Sequence, residues 1–176
     1  GGGSLRCIVN VARAIEMAFA DVFRTYAELG ASCVVRAWQS LPLDPVWEKL
    51  AADSKDRAFP LVDVRCGSPR FDANQRTMYS ETQILCATKT DDDKNHAQIQ
   101  SLYGEIQRVC DLLYAQFIAG RDGDELARFK AVLTAELGAT FHFGGFTWGE
   151  GMAPADMDGA NMIGIAVQTH FSRRDF

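Results

Sequence analysis

Two runs decide the fold: Phe59-Pro60-Leu61-Val62-Asp63-Val64-Arg65-Cys66, and Met78-Tyr79-Ser80-Glu81-Thr82-Gln83-Ile84-Leu85-Cys86-Ala87-Thr88, the second feeding into Thr90-Asp91-Asp92-Asp93. In the first run Leu61, Asp63 and Arg65 alternate with Val62, Val64 and Cys66, the period-2 pattern of a half-buried strand. The second run reads as its partner in a hairpin. Thr90 with Asp93 three residues on resembles a capping box with Asp in place of Glu, and the three aspartates lie where a helix dipole favours negative charge. Ile99, Leu102, Ile106, Val109, Leu113 and Phe117 then recur at helical spacing, so one long amphipathic helix is expected to reach Ala119.

Toward the N-terminus, Leu5, Ile8, Val9, Ala12, Ile15, Phe19, Val22, Phe23, Tyr26 and Leu29 fall on one helical face, with Gly30 as the stop. Ser32 to Trp38 is β-rich and reads as a strand, and Asp44-Pro45 opens a short helix to Ala52. Asp53 to Arg57 is a charged connection. Toward the C-terminus, Arg121-Asp122-Gly123-Asp124 breaks the long helix, and Leu126, Phe129, Val132, Leu133 and Leu137 mark a shorter one ending at Gly138. Thr140 to Trp148 and Met162 to Phe171 read as strands, the latter with Ile163, Ile165, Val167, Thr169 and Phe171 on its core face. The expected fold class is α+β, a mostly antiparallel mixed β-sheet of about five strands packed by a long N-terminal helix and a long central helix. Residues 5–176 are expected to form one domain, with Gly1-Gly2-Gly3-Ser4 a linker or cloning scar.

The 47% hydrophobic and 23% charged content is ordinary for a globular chain. A net charge of -5 argues against a surface built to neutralise phosphates. The five cysteines include no Cys-x-x-Cys pair and sit among apolar neighbours, so reduced core thiols in a reducing compartment are expected. No run approaches the ~18 apolar residues of a membrane span, and no signal peptide is visible.

Candidate chemistry is sparse. Asp91, Asp92 and Asp93 offer oxygens to a hard cation, but consecutive helical residues diverge, which favours a charged helix start. His96, His142 and His170 show no metal-site spacing; His142 and His170 become neighbours if their strands pair. Gly144-Gly145 and Gly149-x-Gly151 lack the spacing of a nucleotide loop and fit bulges or tight turns. Arg173 and Arg174 read as a solvated tail. Trp38, Leu41, Leu43 and Trp47, and separately Phe141, Phe143 and Phe146, are core residues or, where exposed, a self-association surface. The stretch from Gly67 to Thr77, carrying Arg70, Phe71, Asn74 and Arg76, reads as a long loop of the kind that carries function.

The order of elements, with the Tyr79 to Thr88 strand, the Thr/Asp-capped helix and the final Asn161-Met162-Ile163-Gly164-Ile165-Ala166-Val167-Gln168-Thr169-His170 strand, resembles the tail-terminator (tail-completion) and related head-tail joining proteins of phages and prophages. The resemblance covers most of the chain after Leu5 and is one of pattern, without an active-site motif. It implies a structural protein with no catalytic residue, cofactor or metal, which closes into a homo-oligomeric ring, commonly a hexamer. Such a ring caps the tail tube protein, faces the head-tail connector proteins, and lets DNA pass only through its lumen. The place implied is the virion tail or neck, assembled in the host bacterial cytoplasm without a membrane partner. Within that reading the expected contact residues are Arg70, Phe71 and Arg76 in one loop, and Met152 and Met157 in the Gly149 to Gly159 loop, methionine being adaptable at irregular surfaces. The alternative is a small bacterial enzyme or ligand-binding domain using His142, His170 and nearby carboxylates in a pocket between sheet and helices.

Overall fold

Asn10 sets where the first helix begins. Its backbone is extended and its Oδ1 accepts the Arg13 N–H at 2.9 Å, so helix α1 (Val11–Thr25) starts after it. The computed structural model describes residues 10–26, 33–37, 59–72, 74, 76–138, 141–157 and 159–173. Leu5, Ile8, Val9 and Leu29, the Asp44 to Ala52 helix, the Asp53 to Arg57 connection, Trp38, Leu41, Leu43, Trp47 and Arg174 lie outside them.

The described residues form seven strands: β1 (Val34–Ala37), β2 (Leu61–Cys66), β3 (Arg70–Asp72), β4 (Thr77–Lys89), β5 (Phe141–Gly149), β6 (Ala155–Met157) and β7 (Ala160–Arg173). They make one mixed sheet whose main path is β1-β2-β4-β7-β5. Only β1 and β2 run parallel; the other described pairs are antiparallel. The five strands on that path are those expected from the sequence; their order is given by the structure. The two additions, β3 on β4 and β6 on β7, come from the stretches read as loops, each too short to show a period of its own.

Helix α2 (Ala97–Ala119) lies against β4, β5 and β7, and helix α3 (Asp124–Leu137) packs chiefly on α1, which in turn covers β1 and β2. The core sits between these helices and one sheet face, where Val62, Val64, Ile84, Cys86, Ile165, Val167 and Phe171 meet Ile15, Phe19, Phe23, Ile106 and Leu113. Phe129 is fully buried and closes an aromatic cluster, with ring centroids 4.8 Å from Phe19, 5.3 Å from Phe146 and 5.6 Å from Phe143. Phe143 and Phe146 therefore belong to the core and its margin, and Phe141 stacks edge-on to Phe171. The strand β5 must kink to allow this. A register shift lies between Phe143 and Gly145, and Gly145 takes φ 115° against the Phe117 ring, where a Cβ would collide with the ring.

Two local expectations are corrected. Strand β2 is not half-buried: Leu61, Val62, Asp63 and Val64 are all buried. Asp63 tolerates this because Arg36, itself buried, donates to it at 3.0 Å and 3.3 Å, and Arg65 pairs with the same carboxylate. The Thr90/Asp93 capping box does not form, since α2 starts at Ala97 with His96 as its N-cap. Asp93 instead folds forward, its carboxylate accepting the N–H groups of Gln98 (2.9 Å) and Ile99 (2.7 Å) and the Thr88 hydroxyl (2.9 Å). The C-terminal end matches the expectation, with Gly120 in the left-handed region accepting the stop role.

Candidate functional site

The turn from β3 into β4 is built by its own polar groups. Asp72 Oδ1 accepts the Asn74 N–H at 3.1 Å, and Arg76 adopts φ 55° to bring the chain back. This geometry holds Arg70, Phe71 and Arg76 on an outer corner, with Phe71 50% exposed. Strand β3 pairs with β4 on the side shared with β2, so the corner lies on one flank of the sheet.

The opposite flank is made by β5, β6 and the exposed side of α2. Tyr114 and Ile118, one helical turn apart, and Trp148 of β5 are exposed together, the Tyr114 and Trp148 rings 6.3 Å apart. Farther along the same helix, its first two turns and the β6–β7 hairpin enclose a cavity of about 350 Å³ lined by Ile99, Tyr103, Pro154, Met162, Ile163, Asp156 and Asn161 among others. Asn161 is 2% exposed; its Nδ2 donates to the Asp93 backbone carbonyl at 3.1 Å, while its buried Oδ1 has no partner among the described residues.

The Gly149 to Gly159 stretch does not project freely. Gly164 N–H donates to the Met152 carbonyl at 3.0 Å, and a Cβ on Gly151 would collide with the Gly164 backbone. Met152 is half-buried in this contact, and Met157 ends β6 opposite Ala160. The expected contact residues are thus divided: Arg70, Phe71 and Arg76 share one flank, and Met152 and Met157 belong to the other.

The histidines do not share a pocket. His170 Nε2 lies 2.8 Å from Thr147 Oγ1 with its ring near Tyr79, and burial lowers its pKa, which favours the neutral imidazole. His142 borders a separate hollow with Lys130 and Thr134 of α3. Asp91 and Asp92 are exposed while Asp93 is consumed by the helix start, so the three carboxylates diverge. Among the described residues no cluster of three His, Cys, Asp or Glu is placed to hold a metal ion. Cys66, Cys86 and Cys110 are buried thiols; burial pushes Cys66 up to about 11, Cys86 to about 12 and Cys110 also upward, all away from nucleophilic use. Arg173 lies over the Phe141 ring at 5.7 Å. Among the described residues no helix is long and apolar enough to cross a membrane.

Sequence reading missed the cavity and the unsatisfied Asn161, because its walls come from segments far apart in the chain. The exposed Tyr114 and Ile118 carried a signal, as both lie off the apolar stripe that runs through Leu113 and Phe117. No family model matches the chain, and no curated protein does.

Proposed function

We propose that this chain is a structural virion assembly protein of the tail-terminator type, which closes as a ring on the end of a phage tail tube and meets the head connector. The observation that supports it is the division of exposed apolar groups between two unlike flanks, Phe71 on the β3 side and Tyr114, Ile118 and Trp148 on the β5 side. Exposed apolar groups that cluster, as Tyr114, Ile118 and Trp148 do, mark interaction surfaces more than isolated ones. Two different flanks on one chain suit a heterologous, head-to-tail contact, which generates a ring when its rotation closes. A -5 net charge is compatible with a lumen that DNA crosses without sticking. The ring would be a hexamer, sited in the tail or neck of the virion and assembled in the bacterial cytoplasm. The test is polymerisation of the tail tube protein from the same genome with this protein added in substoichiometric amounts. The reading expects tubes halted with one ring at an end in electron micrographs; unaltered tube growth with no bound density overturns it.

A further inference from the structure

The cavity between the first two turns of α2 and the β6–β7 hairpin is lined by polar groups that the fold leaves unused. Ile99 and Tyr103, one helical turn apart, give it apolar walls together with Ile163 and Pro154, and its volume of about 350 Å³ is that of a small-molecule site. Strand register sets Asp156 directly opposite Asn161, so both belong to the face of the sheet that α2 covers. Asp156 is exposed at the mouth, and neither its carboxylate nor the exposed Gln100 side chain has a hydrogen-bond or ion-pair partner among the described residues.

These groups select by charge. No lysine or arginine lines the cavity, and apart from His96 the charge among its described lining residues is that of Asp156. An anion finds no donor in the helix start, because the Asp93 carboxylate already occupies the Gln98 and Ile99 N–H groups. A cation finds a carboxylate, an amide oxygen and the ring of Tyr103, whose π-face attracts positive charge. We infer that the cavity binds a small amphipathic organic cation, a primary ammonium on an aromatic body. The body lies against Ile99, Tyr103 and Ile163, and the ammonium donates to Asp156 at the mouth, with Gln100 Oε1 as a further acceptor. Apolar burial supplies the affinity and the charge-assisted hydrogen bond the selectivity. The inference goes beyond the ring reading and does not depend on it.

Tryptamine, its neutral alcohol analogue tryptophol and its anionic analogue indolepropionate are the probes, titrated into the full chain by calorimetry and followed by NMR. Tryptamine is expected to bind at least tenfold more tightly than either analogue, with shifts centred on Ile99, Tyr103 and Ile163. Asp156→Asn should bring tryptamine to within threefold of tryptophol and leave tryptophol within twofold of its native affinity, whereas damage to the fold would weaken both. Gln100→Trp, at an exposed helical position on the rim, should weaken all three probes at least tenfold, with circular dichroism confirming that each variant folds. Equal binding of the three probes, or an Asp156→Asn protein that keeps the preference for tryptamine, overturns the charge assignment. Absence of saturable binding by every probe, or binding that Gln100→Trp does not move, overturns the site. Each of these outcomes leaves the ring reading where it stands.

Discussion

Asp93 ties the end of β4, the start of α2 and the start of β7 together. It is 4% exposed, yet it neutralises two orphan amides at the start of α2 and takes the Thr88 hydroxyl, while its own carbonyl receives Asn161. Replacing it with Ala removes a side-chain cap, at about 1 kcal/mol, and leaves the buried Ile99 amide without an acceptor, at about 1–3 kcal/mol. The expected loss for Asp93→Ala is therefore about 2–4 kcal/mol, a large part of the ~5–15 kcal/mol typical of a domain. Asp93→Asn keeps one acceptor oxygen and should lose about half as much. Burial works to raise the Asp93 pKa, but the Gln98 and Ile99 amides, the Thr88 hydroxyl and nearby His96 outweigh it, and the net shift is downward. A carboxyl with a depressed folded-state pKa stabilises above the unfolded value of ~3.9 and loses that contribution as pH falls through the folded value. Urea denaturation at several pH values should show the native protein ahead of Asp93→Asn at pH 7, with the gap closing below about pH 4. A loss under ~0.5 kcal/mol for Asp93→Ala, or a gap that does not change with pH, would refute the reasoning.

Phe129 contacts three aromatic rings from full burial, so Phe129→Ala should cost about 3–5 kcal/mol in chemical denaturation, and a cost below 1 kcal/mol would mean that the cluster is not packed as described. Asp63→Ala removes the carboxylate shared by buried Arg36 and by Arg65, and a loss of about 3–5 kcal/mol is expected from breaking this buried ion pair; a neutral outcome contradicts the pairing. The buried thiols Cys66, Cys86 and Cys110 should resist a disulfide-exchange reagent at pH 8 until urea unfolds the chain, with mass spectrometry locating the labels, and rapid native labelling of any of them contradicts its burial.

The sheet was legible where its pattern was long. Ile163 to Phe171 alternates over enough residues for its core face to be read directly, and the Ile99 to Phe117 stripe fixes α2 in the same way. Strand β2 misled because Asp63 and Arg65 look like solvent positions, whereas the group that permits Asp63 to be buried, Arg36, lies on another strand. The start of α2 misled for a related reason: Asp93 caps from outside the helix, across a turn, and not from the position that local spacing suggests. The three-residue strands β3 and β6 have no periodicity to read, and pairing with longer neighbours creates them. Of the candidate contact residues, Arg70, Phe71 and Arg76 were visible as an unusual loop; the cavity was not, because Tyr103 and Asn161 meet only in the folded chain.

The central claim is head-to-tail closure through two unlike flanks, and native mass spectrometry over a protein concentration series addresses it most directly. The account predicts one discrete closed oligomer, a hexamer, growing at the expense of monomer without a population of longer chains. A strict monomer at every concentration, or a two-fold dimer that saturates, would contradict it.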